Sequence, residues 1–301
     1  MSMDAACLQH RGLTCPTYGV HLNVSPRCFC VVIQRKSTWG GARAALVTNT
    51  PLSDEYAELF GRNGIEVLVT PFDNFRVPDD WSWGYAFYKL CALEYVVRTQ
   101  NFKSCLMLDT DTVSVRSYKD IWKELGYSGI LLYNTGHDYS HQVRASIRND
   151  YQYLFGQKKN IPQYGGELIG GSRESLDNLV KECNRVYEQI KSKNFAISAG
   201  SGDEAILSMA AETMPVMDAS PYIQRFWTRG FYLSSNKWEN EAVAIWHLPA
   251  EKAVGLEKIY GFIRKHGSLP PVREMASWCN LPEKKMKLNA AWIEAYLKNL
   301  R

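Results

Sequence analysis

The stretch SCLMLDTD, Ser104 to Asp111, constrains the fold of this chain more than any other. Cys105, Leu106, Met107 and Leu108 are apolar in succession, without the alternation of a strand that has one wet face. A strand of that kind is covered on both sides, which calls for a sheet with helices packed against it. The same run then delivers two aspartates one residue apart, Asp109 and Asp111. Carboxylates beside a dry strand are costly unless they are paired or hold a cation. The residues that constrain the fold are therefore also the first clue to chemistry.

The flanking segments extend the pattern. CFCVVIQ (28–34) reads as a buried strand and GGARAALVTNT (40–50) turns into a second one. SDEYAELFGRNG (53–64) fits a short helix, with Ser53 as a cap, Glu55 in the first turn and Gly64 as its end. IEVLVTPFD supplies a third strand, and this strand–helix–strand rhythm predicts an α/β fold. A longer helix is predicted from Tyr85 to Thr99, with Leu90, Leu93, Tyr95, Val96 and Val97 on its apolar face and Lys89 and Glu94 as polar positions. SYKDIWKEL (117–125) reads as a short helix and GILLYNT (129–135) as a strand. Residues 136–160 are a polar excursion with a short helix near Val143–Phe155.

YGGELIGGS (164–172) has the pattern of a strand bracketed by glycines. ESLDNLVKECNRVYEQIKSK is an amphipathic helix with Leu176, Leu179, Val180, Cys183, Val186, Tyr187 and Ile190 along one side. GSGDEAILSMAAE (200–212) starts another helix with Asp203 near its first turn, and AVAIWHLP (242–249) is a late strand. Residues 1–27 read as a loop-rich arm. The tail EKKMKLNAAWIEAYLKNLR reads as a basic amphipathic helix, which either rests on a membrane surface or packs on its own domain. No internal repeat or interdomain linker is visible.

Composition narrows the function classes. A net charge of +4 from 35 basic and 31 acidic residues is too slight to argue for a nucleic-acid partner, though it suits a small anionic substrate. The eight cysteines form no CxxC pair, which predicts a reducing, cytoplasmic setting without a structural zinc. The first residues lack a basic segment followed by an apolar one, and no apolar run approaches the roughly 20 residues of a membrane span. No H-E-x-x-H motif, P-loop or serine elbow is present.

In D-x-D the two side chains emerge on the same side of an extended backbone. At a strand end Asp109 and Asp111 can chelate one Mn²⁺ or Mg²⁺ whose coordination is completed by substrate phosphates. The plainer alternative is that Asp109 caps a turn while Asp111 faces solvent. Farther along, His137, Asp138 and His141 have a spacing, HDYSH, that suits a metal but equally suits scattered polar loop residues.

The segment KLCALEYVVRTQNFKSCLMLDTDTVSVRSYKDIW, Lys89 to Trp122, resembles the central part of glycogenin and its relatives, which include bacterial lipopolysaccharide glucosyl- and galactosyltransferases (the glycosyltransferase family 8 pattern). A lysine–leucine pair opens the helix before the metal strand, the strand ends in DxDT, and a helix follows. YGGELIGGS, SGDEAIL and IWHLPAEK resemble later elements of that family. The resemblance implies a glycosyltransferase A fold, a Rossmann-like and mostly parallel central sheet flanked by helices. It implies one nucleotide-sugar-binding catalytic domain over 28–275, its acceptor-side half from about 129, between an arm at 1–27 and a basic helix at 276–301.

The implied activity is that of a hexosyl- or pentosyltransferase, moving a sugar from a nucleoside-diphosphate sugar, UDP-linked, to a hydroxyl of a glycan or glycoconjugate. Asp109 and Asp111 would hold the metal with His247 as third ligand. Lys252 would meet the diphosphate, Lys89 the donor, and Asp203 the sugar hydroxyls. Two departures stand out. Tyr164-Gly165-Gly166-Glu167 replaces the family's asparagine–serine–glycine triplet, and the glycine and proline–tryptophan positions expected after the histidine are missing.

Negative charge builds on the β-phosphate as such a donor breaks, so a metal and a cation beside it stabilise the leaving group. If the reaction inverts configuration, a base must meet the acceptor, and Glu167, Asp203 and Asp138 are the candidates. The resemblance favours retention, the substituted triplet does not, and stereochemistry stays open. Tryptophans in FDNFRVPDDWSWGY (72–85) and WTRGFY (227–232) are stacking surfaces for a sugar or packing residues. The competing functions are a nucleotidyltransferase acting on sugar phosphates and a catalytically inactive sugar-nucleotide-binding or scaffold protein. A nucleotidyltransferase calls for a glycine-rich phosphate loop after the first strand, where this chain offers only Gly40-Gly41.

Overall fold

The structure is a computed structural model that describes residues 12–14, 21–23, 28–34, 42–79, 81, 84–117, 120–125, 129–198, 202–228 and 243–281. For 12–14, 21–23, 28–34 and 42 the description covers the backbone alone. In chain order the elements are β1 (Gly12–Thr14), β2 (His21–Asn23), β3 (Cys28–Gln34), β4 (Ala42–Thr48), α1 (Asp54–Arg62) and β5 (Ile65–Val69). A 3₁₀ turn at Gly84–Phe87 leads into α2 (Tyr88–Thr99), then β6 (Ser104–Leu108), β7 (Thr112–Ser114), α3 (Ile121–Glu124) and β8 (Ile130–Asn134). There follow α4 (Gln142–Phe155), β9 (Tyr164–Ser172), α5 (Arg173–Ser192), α6 (Asp203–Ala211), β10 (Val216–Asp218), β11 (Ile223–Arg225), β12 (Ile245–His247), α7 (Gly255–His266) and α8 (Val272–Trp278). Of the basic helix expected at 276–301, residues 276–278 form the end of α8 and 282–301 lie outside the described residues.

Local sequence explains some helix ends, as in α1 and α5. Ser53 stands at the N-cap of α1 in an extended conformation but makes no side-chain capping bond, Asp54 and Glu55 complement the dipole in its first turn, and Gly64 turns away at φ 66°. Within α1, Gly61 is exposed and a Cβ there would meet nothing within 4 Å. Gly61→Ala is therefore expected to stabilise the chain by about 0.5–1 kcal/mol, read as a rise in denaturation midpoint. Ser172 caps α5 by accepting the Ser175 N–H at 3.1 Å. All seven residues expected on the apolar side of α5 are buried.

Helix α2 departs from its expected amphipathic pattern, because Lys89 and Glu94 are buried along with its apolar residues. Both polar groups are partnered. Lys89 pairs with Asp203, while Glu94 accepts from Asn74 and Asn184 and pairs with Arg98.

The mostly parallel central sheet is corrected by the structure. Among the described residues the strands form three separate sheets of seven, three and two strands. The largest has the order β10-β8-β9-β6-β3-β4-β5 and is mixed. β4 pairs parallel with β5 and β10 with β8, but β9 lies antiparallel to both of its neighbours, β8 and β6. An all-buried strand reports that both faces are covered, not which way the chain runs, and β9 is buried through eight of its nine residues.

The chain divides into two compact units. One comprises 1–30, 109–119 and 221–301; it holds the sheet β11-β12-β7, α7 and α8. The other comprises 31–108 and 120–220, and it holds most of the seven-stranded sheet with α1 to α6. The core of the latter is aliphatic and aromatic, with Leu106, Ile130, Leu132, Leu168 and Leu207 without measurable exposure and Phe75, Phe87 and Phe102 buried among its apolar residues.

Candidate metal centre

The sequence D-T-D sits where β6 ends and the first unit resumes. It is a turn, not the extended strand end expected from the sequence: the Thr112 hydroxyl donates to the Asp109 carbonyl at 2.8 Å. The chain then enters β7, which pairs antiparallel with β12 so that Thr112 lies opposite His247 and Val113 opposite Trp246. The Leu248 N–H donates to the Asp111 carbonyl at 2.9 Å and locks that register. β11 supports β12 from its other edge, with Arg225 opposite His247, and the Phe226 N–H donates to the His247 carbonyl. Two segments separated by more than a hundred residues are thus brought together by a short mixed sheet.

The result is a cluster of Asp109, Asp111 and His247 whose ligand atoms all lie within 4.8 Å of one another. His247 Nε2 is 3.1 Å from Asp111 Oδ1 and 3.8 Å from Asp109 Oδ2. Asp111 and His247 are nearly dry, whereas the Asp109 side chain keeps 21% of its exposure. Two carboxylates and an imidazole are an O/N donor set that can hold a divalent metal ion. Among the described residues this is the cluster of three or more such side chains that can hold a metal ion.

Lys252 completes the local charge balance, its Nζ 2.7 Å from Asp111 Oδ2. Burial works to raise the Asp111 carboxyl, but the Lys252 ammonium and then His247 outweigh it and hold the group well below the usual carboxylate range. Lys252 projects from a turn that Glu251 fixes. The Glu251 backbone bonds Leu248, Val254 and Leu256, and its wholly buried carboxylate accepts from Thr228 and Asn280. Gly255 is required beside it, since a Cβ there would stand 2.7 Å from Cys279 Sγ and 2.9 Å from Glu251 Oε2. Sequence reading missed Glu251, and nothing local marks it: it is one acidic residue in a polar turn until residues 228 and 280 close on it.

The second unit contains a different polar cluster. Lys89 from α2 pairs with Asp203, the first residue of α6, at 3.1 Å, and both side chains are buried. Glu167 is wholly buried in β9. There β9 bulges: Leu132 pairs with Ile169 but Tyr133 with Gly165, so Gly166, Glu167 and Leu168 have no counterpart on β8. Gly166 faces the ion pair so closely that a Cβ would lie 2.0 Å from Asp203 Oδ2 and 2.6 Å from Lys89 Nζ.

Asp138 serves its own turn. It accepts from the Ser140 hydroxyl and N–H and from the His141 N–H, and these bonds, those from Ser140 foremost, lower its carboxyl. His137 and His141 stack with centroids 3.5 Å apart, and His137 Nδ1 meets Gln163 Oε1, whose amide donates to Glu204. Of the tryptophans proposed for stacking, Trp81 packs against Phe87 and Phe195. Trp83 and residues 229–232 lie outside the described residues.

No family model matches the chain, and no curated protein matches it. The resemblance to the glycogenin-like family is accordingly withdrawn, because a mixed sheet among three separate sheets replaces the mostly parallel one that it implied. What remains is a cluster able to hold a metal ion, of a kind found in metal-dependent enzymes. Among the described residues no helix is long and apolar enough to cross a membrane.

The thiols of Cys91, Cys105, Cys183 and Cys279 are free and buried. Burial pushes Cys91 and Cys279 up to about 12 and raises Cys105 and Cys183 as well. Peptide-resolved alkylation at pH 8 is expected to spare these four in the folded chain and label them once denaturant unfolds it.

Proposed function

We propose that this chain is a metal-dependent glycosyltransferase that moves a sugar from a nucleoside-diphosphate sugar, UDP-linked, to a hydroxyl of a glycan acceptor. The observation that carries the reading is the juxtaposition of the Asp109–Asp111–His247 cluster with the Lys252 ammonium. A carboxylate-rich cluster able to hold a metal, with a lysine beside it, matches a diphosphate, which carries charge on both of its phosphates. Transfer of the sugar is preferred over transfer of the nucleotide because the chain lacks the glycine-rich loop that cradles phosphates in the latter chemistry.

When bound, Mn²⁺ or Mg²⁺ supplies Lewis acidity at the β-phosphate leaving group. The protein's part is positional and electrostatic. Asp111, kept ionised, and Asp109 provide the carboxylates, His247 provides the third donor, and Lys252 neutralises charge on the departing diphosphate. The four buried thiols favour a reducing compartment, and the reaction is assigned to the cytoplasm on that ground.

The test is release of nucleoside diphosphate from UDP-, GDP- and dTDP-sugars, with and without Mn²⁺. The expected result is Mn²⁺-dependent release from a UDP-sugar, accelerated by a glycan acceptor. If no donor is turned over and none binds in the presence of Mn²⁺, the glycosyltransferase reading fails.

A further inference from the structure

Asp111 divides its carboxylate. Its Oδ1 faces His247 at 3.1 Å and belongs to the ligand set, while Oδ2 faces the Lys252 ammonium at 2.7 Å. A divalent ion on the cluster and the ammonium are like charges drawing on one anion, in surroundings where Asp111 and His247 are almost dry and water screens little. Lys252 is also not hung on a loose loop. The turn that bears it is tied down by the buried Glu251 carboxylate, by its backbone bonds to Leu248, Val254 and Leu256, and by the close fit of Gly255.

We propose that Lys252 is a built-in competitor of the metal, which weakens binding of a bare divalent cation and favours binding once a diphosphate is present. The inference rests on the metal-centre reading above and adds a binding rule to it. Metal and diphosphate bind weakly alone and tightly together, since diphosphate oxygens satisfy the ammonium and the cation at once and relieve their contest for Asp111. Such a coupling is reciprocal: the anion must tighten the metal by the same factor as the metal tightens the anion. The arrangement keeps the centre from committing its charge to free cations and reserves the lysine for the leaving group.

The experiment reads Mn²⁺ binding from the electron paramagnetic resonance of the free ion, without nucleotide and with saturating UDP. It compares the native chain with Lys252→Met, Lys252→Gln and Lys252→Arg. Without UDP, the Met and Gln variants are expected to bind Mn²⁺ on the order of tenfold more tightly than the native chain, while Arg, which keeps the charge, stays near native. With UDP the order reverses and the neutral variants become the weaker binders. Two neutral side chains of different polarity keep the result from hanging on one substitution. Equal Mn²⁺ affinity in native and neutral variants without UDP overturns the competition and leaves the metal centre standing. An equal gain from UDP in native and neutral chains overturns the coupling. Absence of Mn²⁺ binding in every chain overturns the metal centre and the inference with it.

Discussion

Asp111→Asn is expected to lower Mn²⁺-dependent release of nucleoside diphosphate by on the order of 10³-fold, with Mn²⁺ affinity falling in parallel. The substitution keeps shape and volume but removes the charge that serves both His247 and Lys252. It strikes the most connected residue of the cluster. Asp111 offers an oxygen to the candidate metal cluster, makes an ion pair and, through its carbonyl, accepts the bond from Leu248 that sets the register of β7 on β12. The Asn variant spares that backbone bond, so its melting midpoint reports any structural damage separately. Activity within tenfold of native, in a variant that melts like native, would remove Asp111 from the chemistry.

Gly166→Ala is expected to cost ~3 kcal/mol or more and to lower the melting midpoint by about 5–10 °C. The added methyl cannot coexist with the Lys89–Asp203 pair, since it would stand 2.0 Å from one partner and 2.6 Å from the other. One group must move, and each is a buried charge that then loses its counter-charge. Backbone strain is not the cause here, because Gly166 is not among the glycines with positive φ. The comparison with Gly61→Ala isolates the point, since the same methyl on exposed α1 meets no neighbour. A melting midpoint for Gly166→Ala equal to native would mean that the pair does not hold β9 against α2 and α6.

Periodicity was most informative where one element has one buried face. The seven buried residues of α5 recur at helical spacing, and each is found inside. Where burial is total the pattern says less. Lys89 and Glu94 looked like the wet side of α2, yet both are inside, because Asp203, Asn74 and Asn184 arrive from other parts of the chain to receive them. Three-residue strands such as β10 and β11 are too short to show alternation. Helix α7 did carry a signal, with Leu256, Ile259 and Ile263 recurring on one side and all buried.

The candidate site divides in the same way. A dry strand ending in two aspartates raised a cation site as one of two readings from residues 105–111 alone, by the cost of leaving carboxylates unpaired beside a core. His247 and Lys252 could be named from sequence only through a family likeness that the fold did not uphold. Their place at the cluster comes from the β7–β12 pairing, and strand pairing across more than a hundred residues leaves no local trace. The sequence by itself determined that this chain is α/β, with its carboxylate pair following a buried strand, because side-chain hydrophobicity and spacing are local properties. Tertiary structure decided the direction of β9, the partner of each buried charge, and the histidine that joins Asp109 and Asp111, because those depend on which distant segments meet.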